Sequence, residues 1–319
     1  MSQNKTVPLV AIECLVYNHE KFLRDCLEGF VMQQTNFPFV AIVHDDASTD
    51  SSAAIIHEYE ELYPDIIRPI YETENQYSKH DGSLHHIVRD ALFDTGAKYI
   101  ACCEGDDYWT DPNKLQTQVD FMESHPDYTL CFHKAYIKHQ TPDGNYIDYE
   151  HHVTERDYDA VEIISSAIVA TCSTLFLASV YKSYIKDPRY IIGDAPLWEH
   201  CASKGKMHCF GKEMACYRML QSGWTMSNSI KEVRNMVWLT QRYHYYSAMY
   251  ENYPVLTKKY RKTSANFCIA CVKESLRHDK KSTFFWIKEG FSRYGLRFPI
   301  YTIEFLIRAI IGKITSSSR

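Results

Sequence analysis

The chain has 319 residues, of which 45% are hydrophobic and 24% charged, so it can bury a large core and is not disordered or low in complexity. Its net charge of −5 argues against a dedicated nucleic-acid-binding protein, which carries a strong basic excess. The average conceals an asymmetry, because residues 277–319 contain nine Lys or Arg against three Asp or Glu, which leaves a net −11 on the first 276 residues.

The first half of the sequence alternates apolar strands with amphipathic helices. Strands are predicted at residues 7–16, 39–43, 66–71 and 99–103. Helices are predicted from residue 21, from a cap at residues 48–50 through residue 63, and at residues 84–92 and 114–123. This order is typical of right-handed βαβ units, and it predicts an α/β fold with a mostly parallel sheet.

The second half is less regular. Residues 128–136 are predicted as a strand, followed by a turn at residues 141–144. The uncharged run at residues 163–180 is too short and too rich in Ser and Thr for a bilayer span, and predicts a buried strand with flanking turns. Past Trp224 the pattern is helical.

The resulting domain prediction has two parts. Residues 1–225 form an α/β domain with a regular half over 1–125 and a less regular half over 126–225, and residues 226–319 form a helical C-terminal region.

The 11 cysteines are odd in number and lack the spacing of a disulfide framework, which indicates free thiols in a reducing cytosol. Cys268 and Cys271 form a CxxC pair that fits either one buried helix face or a redox or zinc site. The first eight residues contain no apolar segment, so no signal peptide is predicted and a cytoplasmic location is expected.

Acidic side chains follow two of the predicted strands. Asp45 and Asp46 come directly after the second strand, and Glu104, Asp106 and Asp107 come directly after the fourth. Ligands of open parallel sheets gather at the carboxyl ends of strands, and carboxylate oxygens suit Mg²⁺ or Mn²⁺. The clusters therefore predict a metal–diphosphate site, with helix caps or solvated turns as the alternative.

Three ordered segments resemble the signatures of family 2 glycosyltransferases. They are residues 10–18 (VAIECLVYN), 44–50 (HDDASTD) and 104–109 (EGDDYW), and the last continues into residues 112–120. Residues 193–198 (GDAPLW) and the pair Tyr217-Arg218 are similar to the family's acceptor-side segment. The likeness extends over about two thirds of the chain, strongly over residues 7–135.

The resemblance implies a GT-A fold and transfer of a sugar, with inversion, from a nucleotide-sugar donor, typically a UDP-sugar. It makes residues 1–225 the catalytic domain, with the nucleotide-sugar half over 1–125 and the acceptor half over 126–225. It implies that Tyr17 and Glu20 line the nucleoside pocket and that Asp45 or Asp46 accepts from the base. It places Glu104, Asp106 and Asp107 at a Mn²⁺ or Mg²⁺ ion, and the remaining donor-site residues are Arg89, Trp109 and Arg218.

Several of these assignments have alternatives in the sequence. Arg89 either faces the diphosphate or is an ordinary helix-surface residue, and Trp109 either stacks on a sugar or belongs to the core. Where relatives place a metal-reaching His after Tyr-Arg, this chain has Leu220, so His208, another residue or water is expected to substitute.

The resemblance also makes Asp194 the candidate general base that takes the acceptor hydroxyl proton. The alternative role for Asp194 is the N-cap of a helix that starts at Pro196.

The C-terminal region mixes large apolar residues with Lys and Arg, most densely in residues 284–287 and 298–311. Such a pattern suits a helix lying on anionic lipid at the inner face of the cell membrane, and equally a helix packed on the body or in a homo-oligomer.

The leading hypothesis is an inverting glycosyltransferase of bacterial type that builds a surface or secreted glycan on a glycan or lipid-linked acceptor. A metal-dependent nucleotidyltransferase or phosphohydrolase, and an inactive nucleotide-sugar-binding scaffold, are the alternatives.

Overall fold

The computed structural model describes residues 6–79, 81–159, 162–163, 169–184, 187–190, 194–221, 236–253, 257–278 and 280–303. The chain divides into two compact units. The first contains Met1–Tyr184 and Leu197–Asn228, and the second contains Ile185–Pro196 and Ser229–Arg319. The second unit thus includes a short segment from the middle of the chain together with its C-terminal end.

The strands are β1 (Val10–Val16), β2 (Phe39–Asp45), β3 (Ile67–Tyr71), β4 (Tyr99–Cys102), β5 (Tyr108–Trp109), β6 (Tyr128–Gln140), β7 (Tyr146–Tyr149), β8 (Arg156–Tyr158), β9 (Leu175–Leu177) and β10 (Lys206–Met219). The α-helices of the described residues are α1 (Leu23–Val31), α2 (Ser52–Leu62), α3 (Ser83–Asp94), α4 (Lys114–Ser124), α5 (Ala178–Ser183), α6 (Ala195–Lys204), α7 (Met236–Asn252), α8 (Thr257–His278) and α9 (Lys280–Tyr294). Short 3-10 helices lie at Tyr77–Lys79 and Thr171–Ser173.

The strands form one sheet in the order β3-β2-β1-β4-β9-β6-β10-β5, with β7 on β6 and β8 on β10. The four strands β3, β2, β1 and β4 are parallel, as are β6 and β10. Strand β9 lies antiparallel between β4 and β6. The α/β class is confirmed, and the carboxyl ends of β1, β2 and β4 lie side by side at one edge.

The core explains why the first strands read as continuous apolar runs. All seven residues of β2 are buried, and β1 contributes Ile12, Cys14 and Val16 to the main core. Helix α1 covers that face with Leu23 and Phe30, at the spacing of an amphipathic helix. Strands covered on both faces in this way are typical of parallel sheets.

Strand β6 continues past the predicted end at residue 136 to Gln140 and pairs with β7 as a hairpin. The predicted turn at residues 141–144 connects the two strands, and Gly144 adopts a φ of 86°, which favours glycine. The predicted strand within residues 163–180 corresponds to β9, although residues 164–168 lie outside the described part.

The second unit has its own helical core, formed between α7, α8 and α9. Cys268 and Cys271 are fully buried in this core beside Trp286 and Tyr294, so the buried-face alternative for the CxxC pair is confirmed. All eleven cysteines of the chain are free and buried. Within the described ranges, the structure has no helix that is both long and apolar enough to cross a membrane.

Candidate functional site

The loops that follow β1 and β2 are held together by hydrogen bonds. The Asn18 backbone N–H donates to Ser48 Oγ over 2.9 Å, and the Glu20 N–H donates to Asp50 Oδ2 over 3.0 Å. Asn18 and Ala47 both adopt a positive φ, at 56° and 58°. Asn tolerates this conformation, whereas Ala adopts it at a cost of about 1–2 kcal/mol, which the loop-to-loop bonds offset.

The structure gives different tasks to the two neighbouring acids after β2. Asp46 accepts the backbone N–H groups of Gln76 and Tyr77 over 2.6 and 3.1 Å, so both of its oxygens hold the segment after β3. Asp45 accepts only a long bond from the Ser48 N–H, at 3.3 Å. Its Oδ1 is buried and accepts no hydrogen bond from any residue that the structure describes. Asp45 is therefore the acid with a free acceptor.

The acidic loop after β4 is a tight turn, closed by the Asp107 N–H donating to the Glu104 carbonyl over 2.9 Å. A Cβ at Gly105 would lie 2.8 Å from His19 Nδ1 and 2.9 Å from Val16 Cγ2, so only glycine fits between this loop and the end of β1. The close approach places the loops after β1 and β4 in contact.

Asp107 is the most deeply buried acid of this loop, with 1% of its surface exposed. Its Oδ1 accepts the Arg218 backbone N–H over 2.7 Å. Its Oδ2 is buried and accepts no N–H or O–H hydrogen bond from the described residues, and the Cys172 thiol lies close to the carboxylate. Burial, and after it the negative charge of Asp106, raise the pKa of Asp107 well above its usual value.

Arg218, which is predicted to bind the donor, holds the acidic loop. Its guanidinium donates to the Asp106 carbonyl over 2.9 Å and to Asp25 Oδ2 over 2.5 Å. The same group lies 4.3 Å from the centre of the Tyr108 ring. The guanidinium is thus occupied by these contacts, its side chain is 10% exposed, and its contact with the donor stays a prediction.

Trp109 is also corrected from a sugar-stacking position to the core. It is 2% exposed, packs edge-on against Phe30, and donates from Nε1 to the Cys172 carbonyl over 2.9 Å. The ammonium group of Lys114 lies 4.1 Å from the centre of its ring. These contacts leave no open ring face for a sugar, so the core alternative describes Trp109.

The residues fit a divalent cation that a substrate helps to hold. Within the described ranges, no three His, Cys, Asp or Glu side chains converge at one point, and Glu104 is exposed. A buried carboxylate with an unpaired oxygen, beside Asp106, is nonetheless a place where a positive ion relieves both burial and repulsion. Mg²⁺ typically binds through one or two carboxylates together with substrate phosphates.

The other donor-site residues differ in how accessible they are. Tyr17 is exposed, and Glu20 lines an open pocket of about 220 Å³. Arg89 is half-buried on α3, with its guanidinium 5.9 Å from the centre of the Phe93 ring, and it makes no ion pair with any described carboxylate. An unpaired, half-buried cation is unlike an ordinary helix-surface arginine.

The structure brings residues to this edge that the sequence did not indicate as site residues. In the pocket they are Lys21, Phe22 and Gln140, and the rest of its lining is Asn18, Glu20, Asp50 and Leu220. His19 is half-buried, and burial lowers its pKa while the carboxylates of Asp106, Asp50 and Asp45 partly offset the effect. Gln140 carries no motif signal, since only the pairing of β6 with β10 brings it to Leu220.

His208 does not take the place of the missing histidine. It lies near the start of β10, twelve residues before Leu220, where its Nδ1 is 2.9 Å from Asp157 Oδ1 and its ring stacks on Phe121. Leu220 itself is buried, with 5% of its surface exposed. Another residue or water stays the expected substitute for that histidine.

Asp194 belongs to the second unit and immediately precedes α6, which starts at Ala195 rather than at Pro196. Its Oδ1 accepts the Ala195 backbone N–H over 2.7 Å. Gly193, the first residue of the matching motif, lies outside the described residues. The assignment of Asp194 as the base stays a prediction.

Among solved structures, the chain superposes on S. aureus TarS 1-349 in complex with UDP-GlcNAc with a TM-score of 0.58, at 15% identity, over 93% of this chain and 79% of that one. It also superposes on the mannosyltransferase PcManGT of Pyrobaculum calidifontis, in complex with GDP-Man and Mn²⁺, with a TM-score of 0.50, at 13% identity, over 96% of this chain and 87% of that one. These likenesses confirm the GT-A fold.

Two of the curated relatives match about two fifths of the chain. A protein of Mycobacterium tuberculosis is 42% identical over 128 residues, which is 40% of this chain and 35% of the relative. The putative glycosyltransferase EpsE of Bacillus subtilis is 34% identical over 123 residues, which is 39% of this chain and 41% of the relative. The matched region thus spans well under half of each relative's own length.

The match to a family model covers more of the chain. The model described as Glycosyl transferase family 2 matches residues 15–185, which is more than half of the sequence and includes the loops after β1, β2 and β4. The chain belongs to glycosyltransferase family 2.

Proposed function

We propose that this protein transfers a sugar from a UDP-sugar, with inversion at the anomeric carbon, to a glycan or lipid-linked acceptor. The observation that carries the proposal is the carboxyl edge of β1, β2 and β4, where Asp45 and Asp107 each keep one buried oxygen without a hydrogen-bond partner among the described residues. One oxygen suits an N–H of a base, and the other suits a cation beside a diphosphate.

The proposed donor site divides its work among the loops. Tyr17 and Glu20 flank the nucleoside, and Asp45 accepts from the base. Asp106 and Asp107 would hold Mn²⁺ or Mg²⁺, with Glu104 adding negative charge nearby. The ion, when bound, would stabilise the charge that develops on the leaving diphosphate. Arg218 keeps the loop in place, and Arg89 is the cation proposed to face the diphosphate.

On the acceptor side, we keep Asp194 as the proposed general base, on the family resemblance alone. An inverting displacement needs a carboxylate that removes the proton of the attacking hydroxyl on the face opposite the leaving group. The single-step substitution then needs no covalent intermediate with the enzyme, so one base suffices on this side.

Substituting the two acids after β2 separates their proposed tasks. Asp45→Ala is expected to weaken UDP binding about 10- to 100-fold with little loss in Tm, because it removes the free acceptor of the base. Asp46→Ala is expected to lower Tm, because two backbone N–H groups lose their acceptor. Calorimetric titration of UDP and thermal unfolding of both variants measure this, and unchanged UDP affinity in Asp45→Ala would refute the assignment.

The C-terminal helices offer a surface for the proposed membrane contact. Helix α9 and the residues after it expose several large apolar side chains. They are Phe284, Ile287, Phe291, Leu296, Ile300 and Ile303. Phe284 is 71% exposed and Leu296 is 90% exposed, with the exposed cations Lys288 and Arg297 beside them. Apolar side chains flanked by cations suit the surface of an anionic bilayer.

Adding charge to this face is expected to abolish lipid binding. We expect the wild type to co-sediment with vesicles that contain phosphatidylglycerol, and Phe284→Glu/Phe291→Glu to bind them at least about tenfold more weakly, since two apolar side chains no longer enter the bilayer surface. The control is Leu62→Glu on α2, which places a charge at another exposed apolar residue. Another outcome is that the wild type does not bind the vesicles but forms a dimer, and that Phe284→Glu/Phe291→Glu abolishes this dimer. That outcome would assign the face to an oligomer interface instead.

A further inference from the structure

The hairpin of β6 and β7 presents two tyrosine side chains on one of its faces. In the hairpin register Lys138 is opposite Asp148 and Gln140 is opposite Tyr146. Because side chains alternate along a strand, Tyr136, Lys138 and Gln140 of β6 share a face with Tyr146 and Asp148 of β7. We call these five residues the tyrosine face. Ile137, His139, Ile147 and Tyr149 lie on the opposite face.

The tyrosine face is continuous with the candidate site. On the other side of β6, strand β10 pairs Cys216 with Tyr136 and Arg218 with Lys138. Arg218 is the residue that binds the acidic loop. At the end of the same face, Gln140 lines the pocket next to Leu220. The face therefore runs from the pocket, at the turn end of the hairpin, back along β6 to Tyr136, within the first unit.

The rings of the tyrosine face are open to solvent. Tyr136 is 49% exposed and Tyr146 is 40% exposed. Tyrosine combines an apolar ring with a polar hydroxyl, so it can lie flat against the C–H face of a sugar while its hydroxyl meets the sugar's hydroxyl groups. Exposed aromatic side chains grouped next to a pocket mark a binding surface more often than a solvated strand.

Charge on this face is balanced. Lys138 Nζ lies 3.2 Å from Asp148 Oδ1, and the Tyr136 hydroxyl is within hydrogen-bonding reach of Glu213, which in turn lies 3.5 Å from Lys134 Nζ. A nucleic acid or a polyanionic glycan needs a cationic surface, and the paired lysines do not provide one. An uncharged, hydroxyl-rich chain matches the face better.

We infer that the tyrosine face is a subsite for an uncharged saccharide chain that extends from the acceptor end of the pocket. The inference rests on the proposed function, because it assigns the acceptor a glycan of several sugar units rather than a single sugar. The sugar nearest the pocket meets Gln140, and units further along meet the rings of Tyr146 and Tyr136.

The test measures binding of three uncharged hexasaccharides (laminarihexaose, chitohexaose and maltohexaose), with glucose as the short comparison. We expect at least one of them to bind the wild type at least about tenfold more tightly than glucose, by calorimetry or saturation-transfer NMR. Tyr136→Ala/Tyr146→Ala is expected to weaken that binding at least about tenfold. The matched control is Tyr149→Ala, a 54% exposed tyrosine on the opposite face of the same hairpin, which is expected to stay within about twofold.

Two results would overturn the inference: no hexasaccharide binds the wild type, or Tyr149→Ala weakens binding as much as the double variant does. Titration of UDP with Mn²⁺ keeps this question apart from the proposed function. If UDP binds the wild type and Tyr136→Ala/Tyr146→Ala equally while no hexasaccharide binds, the subsite is wrong and the donor site stands. If UDP does not bind at all, the proposed function itself fails.

Discussion

Replacing Asp107 by Asn is expected to make the metal-free protein more stable at neutral pH and to remove its response to Mn²⁺. Burial and the neighbouring Asp106 raise the pKa of Asp107, so the folded state holds this proton more tightly than the unfolded state does. The stability that this group contributes is therefore lost as pH rises above the ordinary carboxyl range toward the raised pKa. Asn keeps the acceptor for the Arg218 N–H and removes the buried charge.

In the wild type, the same reasoning predicts that Mn²⁺ raises Tm, most strongly at a pH where Asp107 is ionised, because a ligand of the native state stabilises it. Asp107→Asn is expected to lose this rise and at least about a hundredfold in sugar transfer, since the leaving diphosphate loses its ion. Thermal unfolding across pH, with and without Mn²⁺, measures the first effect, and initial rates measure the second.

Asp111→Asn is the matched control. It removes a buried carboxylate from the same loop region, but the pKa of Asp111 is shifted downward, whereas that of Asp107 is shifted upward. Asp111 Oδ2 lies 2.5 Å from Lys212 Nζ, and this partner helps to hold the pKa of Asp111 below its usual value despite burial. We expect Asp111→Asn to lower Tm and to keep the response to Mn²⁺. An Asp107→Asn variant that responds to Mn²⁺ like the wild type would contradict the proposed site.

Replacing Asp194 by Asn is expected to reduce kcat for sugar transfer about 10²- to 10⁴-fold while UDP affinity stays within about twofold. The amide retains the shape of the side chain and its acceptor for the Ala195 N–H, but it cannot take a proton from an acceptor hydroxyl. Steady-state rates with a saturating donor, together with UDP titration, measure the two quantities separately.

Asp187→Asn is the control in the same unit. Asp187 pairs with Arg189 over 2.7 Å and accepts from Asn252, so its loss is expected to lower stability without a comparable loss in kcat. Retention of full transfer by Asp194→Asn would refute its role as the base.

Hydrolysis of the nucleotide sugar by the wild type, with no transfer to any acceptor, would favour the phosphohydrolase hypothesis over the transferase.

The first half of the fold could be predicted from the sequence because its signals are local. Long apolar runs, such as residues 39–43 of β2, indicate a parallel sheet covered on both faces, and the acids at the ends of β2 and β4 then lie at one edge by topology alone. The turn at residues 141–144 was equally local, since Gly144 needs a left-handed backbone.

What could not be predicted depends on contacts between distant residues. Asp45 and Asp46 are neighbours of the same type, and only the segment after β3 distinguishes them by occupying both oxygens of Asp46. Arg218 reaches Asp25 across 193 positions of sequence, and no local pattern predicts this ion pair. A tryptophan is equally common in a core and against a sugar ring, so the residue type alone does not predict that Trp109 is buried.

Two further features could not be predicted for the same reason: the antiparallel strand β9, and the set of segments that make up the second unit. Three residues suffice for β9 to pair with both β4 and β6, which is too short for a periodic pattern. The segment Ile185–Pro196 joins the second unit although all 184 residues before it belong to the first, and no compositional change marks the transition. The tyrosine face likewise follows from register rather than from any motif.

The most direct measurement of the central claim is the calorimetric titration of UDP into the wild-type protein, with and without Mn²⁺. We expect UDP to bind at least about tenfold more tightly with Mn²⁺, because an ion held by Asp106 and Asp107, as proposed, would offset the charge of the diphosphate. UDP binding that is absent, or that is the same with and without Mn²⁺, would contradict the claim that the edge of β1, β2 and β4 is a metal-assisted nucleotide-sugar site.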